Sequence, residues 1–327
     1  MRAVCFSEPG GPEVLKLEEV PDPMPQPDEI LVDVRAAGVN RADLLQRRGG
    51  YPPPAGASPL LGLEIAGVVA AVGERVETLQ VGDRVMALLP GGGYAQKVTL
   101  PVGLALPIPS NLSFEEAAAI PEAWITAFSN LVLLGNLTAQ MDVLIHAGGS
   151  GVGTAAIQIV REFGARAHVT AGSSAKLDAC QQLGARTCIN YHEGPFAPKV
   201  LEATGGKGAE IILDFVGAPY WEQNVSCAAT DGKIFLIGTM GGAVAEQVNL
   251  GLLLNKRLSI IGTSLRSRPL AIKVDFVQAF GQWALPRFAS GALHPVLDQI
   301  FDWEKVADAH RRMENNQNFG KIVLRIS

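Results

Sequence analysis

Cysteine is scarce in this chain. Only Cys5, Cys180, Cys188 and Cys227 occur among 327 residues, and no two of them form a CxxC pair. Scattered in this way, they read as free thiols of a reducing compartment, not as a disulfide framework. Positive charge is also short. Lys and Arg number 27 against 32 Asp and Glu, a net charge of −5, which gives no general attraction to nucleic acid. The opening stretch MRAVCFSEPGGPE has no apolar core of a secretory signal, and no apolar run reaches membrane-spanning length. The expectation is a cytoplasmic protein that makes no use of a membrane. Internal repeats and low-complexity segments are absent as well.

What the chain does have is length, apolar residues and glycine. At 327 residues it can form two domains, and 48% hydrophobic with 18% charged residues is ordinary for a soluble enzyme. The 36 glycines point to many tight turns. Four of them, Gly148, Gly149, Gly151 and Gly153, lie in DVLIHAGGSGVGTAA (142–156) with GxxGxG spacing. An apolar strand leads into them and a helical pattern follows, the arrangement in which a phosphate rests on a helix N-terminus. A Cβ here would hold a pyrophosphate off and push the helix from the strand. Thr154 stands where the stricter GxGxxG would have its last glycine. Gly148, Gly151, Val152 and Gly153 are the candidate cofactor contacts of this turn.

Residues 1 to about 120 do not read as helices. Short alternating segments such as ILVDVRAAGV (30–39) and EIAGVVAAVG (64–73) are separated by the proline-rich loops PDPMPQPDE (21–29) and YPPPAGASP (51–59). This pattern suggests a β-barrel-like domain. At SFEEAAAI the character changes, with Ser113 as helix cap and Glu116 placed to close a capping box. From about 121 to 264, the strand candidates 143–147, 166–171, 187–191, 210–216, 233–239 and 258–264 alternate with helical patterns. Such alternation predicts an α/β, doubly wound Rossmann domain with a six-stranded parallel sheet. The tail, 265–327, does not extend the alternation and is expected to return to the first domain. It holds a long helix, a strand near 295–301, a helix over 304–316 and the last strand KIVLRI.

The end of the second Rossmann strand bears on the choice of nucleotide. An NAD enzyme of this design carries an Asp or Glu there to hold the ribose 2′-hydroxyl. Here the strand runs into TAGSSAK, where Ser173 and Lys176 offer a hydroxyl and an ammonium to a 2′-phosphate. The expected cofactor is NADPH.

The segments GVNRADLLQRRGGYPPP, LGLEIAGVV, VGDRVMALLPGGGYAQ, AAAIPEAWITAF, HAGGSGVGTAAIQ and NFGKIVL, in this order, resemble the medium-chain dehydrogenase/reductase superfamily. Within it they are similar to the zinc-independent quinone oxidoreductases; LRSR (265–268) and PYWEQNV (219–225) point to the tumour-suppressor-inducible subgroup. The resemblance implies a GroES-like catalytic domain over 1–120, a Rossmann NADPH domain over 121–264 and a tail, 265–327, back on the catalytic domain. It further implies an active-site cleft between the domains and a homodimer formed through the last Rossmann strands. The zinc alcohol dehydrogenases of this superfamily have a Cys where this chain has Asn40, and a His where it has Leu63. Neither replacement is a zinc ligand, so no metal is expected. Glu64 then reads as a buried acid bonded to nearby backbone.

By the same resemblance, Tyr51 and Asn40 are the candidate catalytic residues. The proline-braced loop GGYPPP fixes the Tyr51 phenol as a donor to a developing oxyanion. Asn40, also a candidate cofactor contact, would turn its amide to the nicotinamide ribose or the substrate carbonyl. Thr126 is placed near the nicotinamide phosphates, and Tyr191 over the 2′-phosphate with Ser173 and Lys176. Phe215, Gly238, Ser264, Leu265, Arg266, Phe319 and Lys321 complete the expected cofactor contacts. His146 reads as a core histidine, Trp124 as packing and His310, within HRRMENN, as solvent-facing; no thiol chemistry is assigned to Cys5 or Cys227.

A quinone or α,β-unsaturated carbonyl is already electrophilic and takes a hydride without a Lewis acid if it is held close. Positioning of that kind lowers barriers by roughly 7–11 kcal/mol in favourable cases. The sequence therefore reads as an NADPH-dependent quinone reductase acting on small molecules. One alternative is an enone or enoyl-thioester reductase, for which Arg47–Arg48 and Arg266/Arg268 are the candidate basic rim. Another is a non-enzymatic NADPH-sensing or RNA-binding protein, against which the net charge counts.

Overall fold

The computed structural model describes residues 1–327, whose packing divides into two units: 1–125 with 266–327, and 126–265. The first unit opens with an antiparallel pair, β1 (Arg2–Cys5) and β2 (Lys16–Glu19). Next comes the eleven-residue strand β3 (Glu29–Val39), which buries the alternate side chains Ile30, Val32 and Val34. Helix α1 (Arg41–Arg47) follows at once. Then come β4 (Glu64–Val72), β5 (Arg84–Leu88), β6 (Lys97–Pro101) and β7 (Ala105–Pro107), all in antiparallel pairings.

The presence of α1 corrects the expectation of no helix before residue 113. Asn40 precedes it, and its backbone N–H donates to Asp43 Oδ2 at 2.8 Å, one half of a capping box. The expected cap at Ser113 forms in both directions over α2 (Phe114–Ala117): Ser113 N–H donates to Glu116 Oε2 and Glu116 N–H to Ser113 Oγ. Helix α3 (Pro121–Phe128) runs into a π-helical turn over Ser129–Leu134. The stretch Phe114–Leu134 is apolar and long enough to cross a bilayer, which corrects the sequence reading. Its most apolar window is 78% buried within the protein, as befits helices of a core.

The second unit contains six parallel strands, β8 (Asp142–Ile145), β9 (Arg166–Ala171), β10 (Thr187–Asn190), β11 (Ala209–Asp214), β12 (Ala228–Leu236) and β13 (Ser259–Gly262). Their order is β10-β9-β8-β11-β12-β13. The order reverses beside β8, the switch point at which doubly wound sheets bind ligands. Helices α4 (Gly151–Glu162), α5 (Ser174–Gln182), α6 (Phe196–Ala203), α7 (Trp221–Cys227) and α8 (Leu250–Lys256) connect the strands. Strands buried on both faces need unbroken apolar runs, and Val143, Leu144 and Ile145 are fully buried.

After residue 265 the chain forms α9 (Leu270–Ser290), β14 (Leu297–Asp302), α10 (Val306–Glu314) and β15 (Lys321–Arg325). Strand β15 lies antiparallel on β3, with Ile322 opposite Val39, and β14 lies parallel on β15. On α10, Val306, Ala309, His310 and Met313 are buried. The expectation that His310 faces solvent is therefore wrong. Charged neighbours take the outer face while His310 lies on the inner one.

Candidate functional site

Within the second unit, the glycine turn follows β8. Ala147 adopts the left-handed region (φ 50°), and Ser150 caps α4 by accepting the Gly153 N–H at 3.0 Å. The N–H groups of Gly151 and Val152 are left without an intrahelical acceptor at the helix N-terminus. A Cβ on Gly153 would lie 2.5 Å from the Ala147 carbonyl oxygen, and one on Gly148 would lie 2.9 Å from Val169 Cβ. Glycine at these positions lets the helix approach the strand. Thr154, in place of the last glycine, is buried and donates its hydroxyl to the Gly151 carbonyl.

At the ends of β9 and β10 the structure brings several predicted residues to one edge. Ser173 is the N-cap of α5, and its hydroxyl accepts the Lys176 N–H at 3.4 Å. A Cβ on Gly172 would collide with the Tyr191 hydroxyl, so that hydroxyl stands directly over the residue preceding Ser173. His192, which the sequence reading did not single out, packs its ring 4.5 Å from that of Tyr191. Further along, Phe215 and Gly238 meet: a Cβ on Gly238 would lie 3.1 Å from the Phe215 carbonyl oxygen. Asp214 anchors this edge by accepting the N–H groups of Val216 and Gly217 and the amide of Asn224. Thr126 is nearly buried, and its carbonyl accepts from Ser129 and Asn130. Ser264 and Leu265 follow β13, Leu265 buried and Ser264 partly so.

His146 is a core histidine, as expected. It is fully buried, with Nε2 2.7 Å from Asn224 Oδ1 and Nδ1 2.9 Å from Thr170 Oγ1. Because the Asn224 amide donates to Asp214, its oxygen accepts from Nε2–H, and Nδ1 accepts from the threonine hydroxyl. Burial holds His146 below the usual histidine range. Trp124 is likewise core, edge-on to Phe288 at 4.9 Å. Burial raises the thiols of Cys5 and Cys227, the latter to about 12, consistent with inert cysteines.

In the first unit, Glu64 is completely buried. Its Oε1 accepts the Asn40 amide at 2.8 Å and the Lys321 ammonium, and its Oε2 accepts the Glu122 backbone N–H at 2.8 Å. The sequence reading anticipated the backbone bond but not the cation. Lys321 gives its remaining donors to the Val39 carbonyl (2.9 Å) and Asn40 Oδ1 (2.7 Å), so all three of its N–H bonds are in use. These bonds tie Lys321, an expected cofactor contact, to Glu64 and Asn40 within the protein. Asn40 has both ends of its amide held by this pair. No Cys or His stands here, and an ammonium already neutralises the carboxylate. This donor set does not fit zinc, and no cluster of three or more His, Cys, Asp or Glu suited to a metal ion occurs in the protein.

Tyr51 lies in an irregular loop with the Arg266 guanidinium 5.2 Å from its ring centroid. Arg266 is itself buried and donates to the Pro90 carbonyl (2.8 Å) and Gln46 Oε1 (2.7 Å). It braces the tyrosine loop and forms no basic rim. Arg47 also departs from the rim reading: fully buried, it pairs with Glu314 and donates to His310 Nδ1 at 3.1 Å. Burial, then the Arg47 charge, pulls His310 down to about 3. Phe319 is held through its backbone N–H by Asp298 Oδ1 at 3.1 Å.

The sequence reading missed Asp43, buried and bonded to the N–H groups of Asn40 and Gly62, and also Glu122 and Lys273. Only Asp43 had a local signal, three residues after the helix cap Asn40.

Residues 26–110 match the family described as Alcohol dehydrogenase GroES-like domain, and residues 151–280 that described as Zinc-binding dehydrogenase. The quinone oxidoreductase of Homo sapiens is 32% identical over 331 residues, covering 99% of this chain and 97% of the human protein. A phenolphthiocerol/phthiocerol polyketide synthase component of Mycobacterium tuberculosis is 33% identical over 98% of this chain, which spans only 14% of that protein. Among solved structures, an Escherichia coli quinone oxidoreductase complexed with NADPH superposes with a TM-score of 0.89 at 30% identity, covering 99% of this chain and 100% of that one.

Proposed function

The chain belongs to the medium-chain dehydrogenase/reductase superfamily, and from that premise we propose that it is an NADPH-dependent quinone reductase. The observation that carries the reading is the Lys321–Glu64–Asn40 cluster. With an ammonium on the carboxylate and no soft ligand beside it, these residues are suited to an acceptor that needs no Lewis acid. A quinone is such an acceptor.

The residues present fit NADPH. The open N–H groups of Gly151 and Val152 suit its pyrophosphate. Ser173, Lys176 and Tyr191 suit a 2′-phosphate, and no carboxylate at the end of β9 repels one. When bound, NADPH supplies a hydride from its nicotinamide ring. Tyr51 offers its phenol to the oxygen on which charge develops, and Arg266 holds the tyrosine loop in place.

We propose in addition that the protein is a homodimer. Strand β13 is the outer strand of its sheet, and Val244, Leu250 and Leu254 are 82%, 70% and 76% exposed near it in sequence. An unpaired edge next to exposed leucines suits pairing with a second copy. Sedimentation at micromolar concentration tests this; a monomer would refute it.

The activity test is NADPH oxidation followed in the near ultraviolet, with an ortho-quinone, a para-quinone and a simple enone as acceptors and NADH as control. Faster turnover of quinones with NADPH than with NADH is expected. Preference for the enone would favour an enone reductase, and failure to reduce any acceptor would refute the enzymatic reading.

A further inference from the structure

Four buried polar side chains of the first unit have no part in the chemistry described so far: Asp43, Arg47, Tyr94 and His310, each at most 1% exposed. They are bonded in series. Arg47 donates from Nε to the Gly10 carbonyl at 3.0 Å and from Nη2 to Glu314, and its Nη1 lies 3.1 Å from His310 Nδ1. His310 Nε2 lies 3.5 Å from the Tyr94 hydroxyl oxygen, with the two rings edge to face at 6.0 Å. That hydroxyl donates to Asp43 Oδ2 at 3.2 Å.

The chemistry of the two ends fixes every proton between them. A guanidinium only donates, so His310 Nδ1 is the acceptor and the ring hydrogen sits on Nε2. A carboxylate only accepts, so the Tyr94 hydrogen goes to Asp43 and the Tyr94 oxygen takes the one from Nε2. Burial raises Asp43 to about 6, which leaves it charged at neutral pH. The series therefore runs one way, from Arg47 through His310 and Tyr94 to Asp43. Apolar residues of equal volume often hold a fold as well as buried charges do, so stability alone gives no reason for this row. What a row of directed bonds adds is a single geometry.

That geometry ends at Asn40. Asp43 Oδ2 also accepts the Asn40 backbone N–H at 2.8 Å, and Oδ1 accepts the Gly62 N–H at 3.0 Å. The Asn40 side chain is pinned by Glu64, which takes one amide hydrogen at 2.8 Å, and by Lys321, which donates to Oδ1 at 2.7 Å. The second hydrogen on Nδ2 has no acceptor within the protein, and Asn40 is partly exposed. Asn40 is thus a donor held by backbone and side chain with one bond left to give.

We propose that Tyr94 and His310 position Asn40: through Asp43 they fix the turn from which its free amide hydrogen is presented to the reacting carbonyl. This rests on the quinone-reductase reading. Both residues act through other groups and are positioning residues, not catalytic ones.

The test compares the wild type with Tyr94→Phe, His310→Leu and His310→Gln in reduction of a para-quinone, with kcat taken per folded protein. Tyr94→Phe and His310→Leu should lower kcat by roughly 10- to 100-fold, the effect of a donor displaced by a fraction of its reach, and leave the KM for NADPH unchanged. His310→Gln should stay close to the wild type, because its amide can accept from Arg47 and donate to Tyr94. Read without substrate, amide hydrogen exchange should quicken by about tenfold at Asn40 and Gly62 in Tyr94→Phe and His310→Leu, and stay unchanged along β8. Nitrogen-15 spectra of the wild type should find His310 protonated on Nε2 alone. An unchanged kcat or unchanged exchange at Asn40 in Tyr94→Phe, equal losses in the two His310 variants, a raised KM for NADPH or the other tautomer overturns the proposal alone. A wild type that reduces no quinone overturns the functional reading and the proposal together.

Discussion

Replacing Lys321 with methionine would leave Glu64 fully buried with two neutral donors, the Asn40 amide and the Glu122 N–H, and no cation. Methionine fills the aliphatic volume, so packing contributes little to the expected change. The ammonium's bonds to Val39, Asn40 and Glu64 are lost together. Removing one partner of a buried ion pair costs about 3–5 kcal/mol, because the other charge is stranded. That is a large share of the roughly 5–15 kcal/mol that holds a typical domain together. Removing both charges, in Glu64→Gln with Lys321→Met, should cost less than Lys321→Met alone. The measurement is urea unfolding of the wild type, both single variants and the double variant. A coupling energy on the order of 2 kcal/mol is expected from the cycle. If Lys321→Met costs under about 1 kcal/mol, the pair behaves like an exposed one, and the picture of a buried ammonium neutralising Glu64 is wrong.

His310 makes stability sensitive to acid. Its folded value of about 3 lies below the usual 6.5, so the unfolded chain binds the extra proton between those limits. Stability from this group is complete above about 6.5 and falls, by up to about 1.4 kcal/mol per unit, as pH drops towards 3. In His310→Gln the slope of unfolding free energy against pH should shrink across that window; an unchanged slope would count against the assignment. Gly172→Ala should drive a methyl into the Tyr191 hydroxyl and weaken NADPH binding at least roughly tenfold by calorimetry, with little effect on NADH. Equal losses for both nucleotides would remove Tyr191 from the 2′-phosphate.

The Rossmann sheet was legible because parallel strands buried on both faces need continuous apolar runs, and VLI in β8 or IILD in β11 cannot be mistaken for surface. The glycine turn was legible because a Cβ on Gly153 would press on the Ala147 and Gly148 carbonyls and one on Gly148 on the Val169 side chain. His310 was misjudged because its immediate neighbours are charged. The spacing of Val306, Ala309, His310 and Met313 along one helical face held the contrary signal. Arg47 misled in a similar way: beside Arg48 it looks like part of a basic surface, yet Glu314 at the far end of the chain draws it inward. Glu122 and Lys273 had no local signature. What makes them notable is burial among residues distant in sequence, and no spacing rule encodes that.

Ser173 holds two offices with one hydroxyl. Its lone pair serves the Lys176 N–H and fastens the start of α5, while its hydrogen remains free to be given elsewhere. Aspartate caps a helix as well as serine does and sits well at a helix N-terminus, but it would repel a phosphate and welcome a ribose hydroxyl. If Ser173 meets the 2′-phosphate as proposed, the choice of coenzyme at this position is decoupled from the integrity of the fold. A single Ser173→Asp change is then expected to shift preference from NADPH towards NADH without first weakening the protein that carries it.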